Sequence, residues 1–216
     1  SVLNLGYSGT GPLVQFATLR EYLNSNVKKV LWIYFEGNDL DDLIHEKDDS
    51  ILKNYLNNLI FTQNLKLKQN EIDEFLKKET EIRVKKKEKI LILKLKKFIK
   101  MNNIRKLFYF KKPPIAEFKK ILNLTKKLVK KNNSTLYFVY LPEYSRYKKN
   151  YNQANYNLVK NIISELNIPF IDISKKTFEK EVNPLKLFAF DYNSHYSTEG
   201  YRKVSQTIYE FTKDKY

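Results

Sequence analysis

Three short apolar runs constrain the fold of this chain more than any other feature of its sequence. They are Val30 to Phe35, Thr135 to Leu141 and Ile168 to Ile173, and all are rich in β-branched and aromatic side chains. Continuous apolar runs of this length are typical of strands that are covered on both faces. Stretches with apolar residues at helical spacing separate the three runs. This alternation predicts an α/β fold, a three-layer sandwich with a mostly parallel sheet between two layers of helices.

Further elements can be placed around these runs. Ser1 to Leu5 is predicted to form another short, buried strand, and the glycine-rich turn Gly6 to Gly11 follows it. Pro12 suits the first position of a helix, because its fixed φ angle and missing N–H cost nothing there. A last helix with one apolar face is predicted from Thr198 onward.

Residues 45–112 differ from the rest of the chain and are predicted to form a basic, mostly helical insertion. They are rich in Lys, and Pro113-Pro114 marks their end, so residues 1–44 and 113–216 form the α/β core. Within the insertion, Lys85 to Lys100 is basic and amphipathic. Such a segment either packs on the core as a lid or lies on an anionic membrane surface.

Composition excludes several classes of protein. The chain has no Cys, which excludes disulfides, thiolate catalysis and Cys-ligated zinc within it. Its longest apolar run, Val30 to Phe35, is far shorter than the roughly 20 residues that a membrane helix needs. The net charge is +16, but only five of the 40 basic residues are Arg, on which readers of base sequence rely. The charge therefore predicts a generically basic surface and no specific nucleic-acid partner.

Three polar segments next to core elements are candidates for chemistry. The turn around Gly9 leaves N–H groups exposed at a helix start, which suits an anion, although an ordinary strand-to-helix turn has the same pattern. The carboxamide of Asn38 either points its N–H groups toward a developing oxyanion or forms an Asx turn. His195, which lies just before the last helix, is either a general base or a capping residue.

A group of acidic residues after the second candidate segment could ligate Ca²⁺ or Mg²⁺. Its members are Asp39, Asp41, Asp42, Asp48 and Asp49. Their spacing is not that of an EF-hand loop, and acidic residues also cap helices in such turns. We therefore predict no metal site and no cofactor.

The order of the three candidate segments resembles the later conserved blocks of the SGNH (GDSL-like) hydrolases, in particular their larger bacterial members. The likeness lies in NLGYSGTGP, YFEGNDL and HYSTEGYRKV, which stand near the two ends of the chain. It implies a flavodoxin-like sheet and a serine esterase or acyltransferase. By this resemblance Gly9 and Asn38 form the oxyanion hole, and His195 is the base that activates the serine.

The chain departs from the family pattern in two places that bear on catalysis. The GDS block with the nucleophile is absent, and Ser8 lies in the second block, so no nucleophile is assigned within this chain. Tyr192 occupies the position, three residues before His195, where the family has an Asp. Asp191 is favoured as the acid of the triad, with a backbone carbonyl as the alternative.

The resemblance also implies that the family's first strand is missing from between Ser1–Leu5 and Val30–Phe35. Two apolar strand edges would then lack their hydrogen-bonding partner. The sequence thus indicates an N-terminally truncated part of a larger protein. We expect it to be inactive and poorly soluble when it is expressed alone.

The expected substrate is an O-acyl ester, above all an O-acetyl ester, of a small molecule or a glycan. A non-catalytic SGNH-like binding protein is one alternative. A basic protein that binds a membrane surface or a polyanion is the other, with an anionic membrane as partner through residues 45–112. The compartment stays open between the bacterial envelope and the cytoplasm, because a chain without Cys suits both, and no oligomeric state is assigned.

Overall fold

The computed structural model of the chain describes residues 2–7, 9–82, 113–191 and 195–213. Its sheet has three parallel strands in the order β1-β2-β3. They are β1 (Lys29–Phe35), β2 (Thr135–Leu141) and β3 (Phe170–Asp172). Val30 pairs with Leu136 in β2, and Tyr140 pairs with Asp172 in β3. The described part of the chain is therefore an α/β protein with a parallel sheet, as the sequence predicts.

Helices connect and flank these strands. They are α1 (Pro12–Tyr22), α2 (Asp39–Glu46), α3 (Ser50–Asn57), α4 (Ile115–Lys131), α5 (Ala154–Glu165), α6 (Ile173–Lys176) and α7 (Thr198–Thr212). Residues 69–82 are also helical. Short 3-10 turns lie at Leu65–Lys68, Tyr144–Tyr147, Phe178–Lys180, Pro184–Leu187 and Ala189–Asp191. Among the described residues, no helix combines the length and apolarity that a membrane crossing requires.

Apolar clusters cover both faces of the central strand, β2. Phe138 and Tyr140 face a cluster that includes residues of α1, α4 and α5. Tyr137 and Val139 point to the opposite face, where they meet a second cluster that includes Val204 of α7. Because successive side chains of a strand alternate between its faces, a fully apolar β2 needs helices on both sides. The sheet therefore lies between two layers.

Strand β1 is covered on one face only, and the prediction that both of its faces are buried is wrong. Trp32 and Tyr34 are buried, whereas Leu31 and Ile33 are each 40% exposed. The second cluster contains residues of β2 and β3 but none of β1. The layer that contains α6 and α7 therefore leaves Leu31 and Ile33 partly uncovered, although Lys29 at the start of β1 donates to the carbonyl of Thr212 in α7.

The outer edge of β1 is also free of ladder hydrogen bonds in the described structure. The carbonyl of Lys28 accepts from Thr135, and the N–H of Glu36 donates to Leu141. In a parallel strand the N–H and C=O of one residue point to the same side, so even-numbered residues of β1 face β2. The backbone groups of Leu31 and Ile33 consequently face away from the sheet, where no described strand pairs with them.

The predicted strand Ser1–Leu5 is wrong for its described part, residues 2–5, which have no regular secondary structure. Val2 and Leu3 are largely exposed. A strand needs a neighbour to pair with, and no described strand runs beside these residues. Their apolar side chains therefore have no sheet face to cover.

Strand β3 is shorter than the predicted run Ile168 to Ile173. Pro169 has no N–H, although its carbonyl still accepts from Phe138 at 2.8 Å. At the other end, the side chain of Asp172 accepts from the N–H of Lys175 at 3.2 Å and so caps α6. A capping residue begins a helix, so Ile173 becomes helical although its side chain is apolar and buried.

Helix α3 lies in the range 45–112 that the sequence assigns to an insertion, yet it packs against α1 with Leu56 in the main core. Arg20 of α1 fixes the end of α3, because its guanidinium donates to the carbonyls of Tyr55, Asn58, Leu59 and Phe61. The boundary at residue 44 stays a prediction. The amphipathic segment Lys85–Lys100 lies outside the described residues.

Candidate active site

The candidate residues lie around the carboxyl ends of the strands. Asn38 follows β1, Pro142 follows β2, and Asp172 is the last residue of β3. In an open parallel sheet, ligands bind outside this edge, because the polar loops that leave the strands converge there.

The glycine turn places the start of α1 at the carboxyl edge of the sheet. Gly9 has φ +76°, a left-handed conformation that favours glycine. Gly11 caps α1, and Pro12 occupies its first turn. The N–H groups of Gly11 and Leu13 donate to the carboxylate of Glu46 at 2.5 and 2.9 Å. The position for an anion that the sequence indicates at this helix start is thus filled by a carboxylate of the protein itself.

Asn38 stands at the N-cap position of α2, but its side chain does not cap that helix. Its Nδ2 donates instead to Oδ2 of Asp42 at 2.7 Å. Asp42 also contacts the glycine turn: a Cβ placed on Gly11 would stand 2.8 Å from the Cβ of Asp42. One side chain of α2 therefore touches both the turn that contains Gly9 and the carboxamide of Asn38.

Asp39 is buried beside the same helix start. Its carboxyl group accepts from the side-chain amide of Gln15 at 3.4 Å. Burial raises the pKa of Asp39 to about 8, and the nearby carboxylates of Asp42 and Glu46 add to this rise. No group of three or more acidic or His residues in the described ranges is arranged to hold a metal ion.

A buried ion pair that the sequence reading missed ties the ends of β1 and β2 together. Oε1 of Glu36 lies 2.6 Å from Nη1 of Arg146, and both side chains are at most 3% exposed. The same carboxylate accepts from the hydroxyl of Tyr140 at 2.5 Å and from the N–H of Glu143 at 3.1 Å. The guanidinium lies 4.3 Å above the ring of Tyr156, where a cation–π contact is favourable.

His195 lies on a loop that is closed by backbone bonds. The N–H of Ala189 donates to the carbonyl of His195 at 2.8 Å, and Phe188 forms an antiparallel bridge with Tyr196. The imidazole is exposed and makes no hydrogen bond to the residues that the structure describes. Asp191 ends the turn Ala189–Asp191, and its side chain lies outside the described structure. The pairing of Asp191 with His195 stays a prediction.

Tyr196 anchors this loop to the sheet. Its buried hydroxyl donates to the carbonyl of Pro142 at 2.7 Å, directly after β2. The preceding residue, Leu141, accepts the N–H of Glu36 at 3.0 Å. The His195 loop is therefore fixed to the same sheet edge from which Asn38 emerges. No hydrogen bond joins His195 to Asn38 or to Gly9 in the described ranges.

The described cavities lie away from these residues. One of about 210 Å³ is lined by Lys126, Lys130, Thr135 and Ile168, at the amino ends of β2 and β3. It is thus at the opposite edge of the sheet from Asn38.

Comparison with known proteins adds no relative whose site could be set beside this one. No protein-family model, curated protein or solved structure matches the chain.

Proposed function

We propose that this chain is the greater part of an SGNH-type serine esterase or O-acyltransferase. Gly9 and Asn38 contribute to the oxyanion hole, His195 is the general base, and Asp191 orients it. The substrate is an O-acyl ester, above all an O-acetyl ester, of a small molecule or a glycan. The nucleophilic serine belongs to a segment outside residues 1–216.

The observation that carries this proposal is the packing of the glycine turn against the residue that binds Asn38. Gly11 lies against Asp42, and Asp42 accepts from Nδ2 of Asn38 at 2.7 Å. Gly11, two residues after Gly9, and Asn38 thereby both contact the side chain of Asp42, although they are 27 residues apart in sequence. Donors that meet the charge of a tetrahedral intermediate need this kind of fixed arrangement.

The outer edge of β1, with which no described strand pairs, supports the proposal that a further strand carries the nucleophile to this site. The family resemblance implies a strand on the side of β1 that is opposite to β2. On that side no described strand pairs with the backbone groups of Leu31 and Ile33, and their side chains are partly exposed. A strand that pairs there ends at the same edge as Asn38, because parallel neighbours share their direction.

The proposed reaction is a double displacement. His195 takes the proton of the serine hydroxyl as the serine oxygen attacks the ester carbonyl, and the resulting oxyanion accepts from Gly9 and Asn38. The protonated imidazole then gives its proton to the leaving alkoxide, which leaves an acyl-serine. Water or an acceptor hydroxyl attacks this ester in the same way and frees the serine.

The test uses the protein together with the upstream segment that the proposal requires. We expect turnover of nitrophenyl acetate to fall roughly a hundredfold or more in His195→Ala and in Asn38→Ala, because each loses a group that acts in the transition state. His45→Ala is the matched control, since His45 is the other histidine and is exposed on α2. Residues 1–216 alone should give no turnover.

Two outcomes contradict the proposal. One is full activity in both His195→Ala and Asn38→Ala. The other is an equal loss in His45→Ala, which would indicate a general effect of the substitution on the fold.

A non-catalytic SGNH-like binding protein is the second candidate. It is favoured by the lack of a hydrogen-bond partner for the His195 imidazole among the described residues. Saturable binding of an O-acetylated glycan by the longer protein, without release of acetate, would support it. An anionic membrane as partner through residues 45–112 stays a proposal, and flotation with anionic vesicles tests it.

A further inference from the structure

Two carboxylates of α2 contact the segments that carry the two donors of the proposed oxyanion hole. Asp42 binds the side chain of Asn38, and Glu46 binds the backbone N–H groups at the start of α1. The two acids are four residues apart, so they lie on the same face of α2. This face is directed at the glycine turn.

The contact with Asp42 determines which atoms Asn38 presents. A carboxylate has no proton to donate, so only the nitrogen of the carboxamide can face it. Nδ2 has two protons, and the bond of 2.7 Å to Asp42 engages one of them. The second proton stays available, and the amide cannot turn its oxygen into the place of its nitrogen without losing this bond.

The contact with Glu46 fixes the glycine turn in a comparable way. Its Oε1 accepts from Gly11 and its Oε2 accepts from Leu13, so each carboxylate oxygen serves a different N–H. The negative charge also lies at the positive end of the α1 dipole. Gly11 is held against Asp42, at a distance where a larger residue would collide with it.

We propose that Asp42 and Glu46 are positioning residues, which fix the carboxamide of Asn38 and the turn of Gly9 in the orientation that receives an oxyanion. The inference rests on the proposed function, because it assigns a role to residues that serve the same site. Neither acid touches the substrate. Burial raises the pKa of both side chains, as expected for carboxyl groups that are enclosed by the elements they join.

The first test compares Asp42→Asn and Glu46→Gln with Asp41→Asn in the protein with its upstream segment. Asn at position 42 keeps the size of Asp but lets the two amides pair in either orientation. Gln at position 46 has a single acceptor oxygen for two N–H groups. We expect kcat to fall about 10-fold to 100-fold with KM within about twofold, since a small misplacement near the reacting atoms has this effect. Asp41 is exposed on the same helix, so Asp41→Asn should keep full activity.

The second test needs no activity and again uses the protein with its upstream segment. In nuclear magnetic resonance spectra, one side-chain proton of Asn38 should exchange slowly with water while the other exchanges fast. Asp42→Asn should accelerate the slow exchange, and Asp41→Asn should leave it unchanged. Equal and fast exchange of both protons in the unsubstituted chain would overturn the positioning role.

The two proposals can fail separately. If Asn38→Ala and His195→Ala abolish turnover but Asp42→Asn and Glu46→Gln keep it, the positioning role is wrong and the enzyme assignment stands. If no substitution affects turnover, the proposed function is wrong, and the exchange experiment still decides whether Asp42 orients Asn38.

Discussion

Arginine side chains make contacts in this protein that lysine could not make. Arg20 donates to four carbonyls at the end of α3, and Arg146 is buried with Glu36. Arg202 forms two parallel bonds with Glu199 on the surface. A planar guanidinium with five donors suits such sites, whereas an ammonium is a point charge. In a chain in which Lys is the usual cation, an Arg can therefore indicate a structural contact, as it does at Arg20, Arg146 and Arg202 among the described residues. This signal could have revealed Arg146.

The buried pair of Glu36 and Arg146 should matter more for stability than the exposed pair of Glu199 and Arg202. Arg146→Met leaves a buried carboxylate without its cation, which costs about 3–5 kcal/mol. Arg202→Met removes a solvent-exposed partner and should change the free energy of unfolding little. Urea unfolding monitored by circular dichroism measures both free energies.

If Arg146→Met does not fold, the double variant Glu36→Gln/Arg146→Met should recover folding, because no charge is then left buried. An equal loss of stability in Arg146→Met and Arg202→Met would contradict the prediction that the buried pair contributes more to the free energy of unfolding.

Asp39 should make the protein less stable as the pH rises. Its pKa is about 8 in the folded chain, and the ordinary value is 3.8. Between these values the folded chain keeps a proton that the unfolded chain has lost, so the free energy of unfolding falls through this window and levels off above it. Each unit of pKa difference corresponds to about 1.4 kcal/mol.

Asp39→Asn removes this contribution while it keeps an oxygen that accepts from Gln15. We expect the variant to be more stable than the parent chain at pH 8 and equally stable near pH 4. Thermal unfolding across this range tests the expectation. A constant difference between the two proteins at every pH would contradict the raised pKa.

At the scale of elements, β1 has one edge with which no described strand pairs and one apolar face that is partly uncovered. Such an edge is a template for pairing with another chain. Leu31 and Ile33 are each 40% exposed, and the outward backbone groups belong to the same two residues. We therefore expect residues 1–216 to self-associate through this strand.

A charge on this edge should suppress the self-association. Ile33→Lys adds a cation that repels a second edge, and it should change stability little because Ile33 is half-buried. Val182→Lys is the matched control, since Val182 is fully exposed but lies away from the sheet. Light scattering at increasing protein concentration measures the effect. If both variants aggregate like the parent chain, β1 is not the surface involved.

Helix α2 illustrates why the site was harder to predict than the elements that carry it. Asp39, Asp42 and Glu46 share one helical face, a pattern that usually indicates a solvated acidic surface. In the structure this face meets the start of α1, and Asp39 is buried. Local spacing places the three acids together, but only the tertiary packing of α1 and α2 reveals their partners.

Over the whole molecule, the apolar runs were sufficient to predict the α/β class and the three parallel strands. They were less informative about how many faces of each strand are covered by helices. A strand such as β1 has the same composition whether one or two of its faces are buried. The run Ser1–Leu5 was misassigned for a related reason: apolar residues favour a strand only where a neighbour exists. The loop of His195 was predictable in position, just before α7, but its attachment through Tyr196 to Pro142 depends on a contact across 54 residues.

The long separation between β1 and β2 has a consequence for how the chain reaches its native state. These neighbouring strands are joined by residues 36–134, a connection more than three times as long as residues 142–169 between β2 and β3. Closing the longer loop costs about 1 kcal/mol more in chain entropy. We therefore expect β2, α5 and β3 to assemble first, and β1 to join a preformed nucleus late, which makes its docking the slow step of folding.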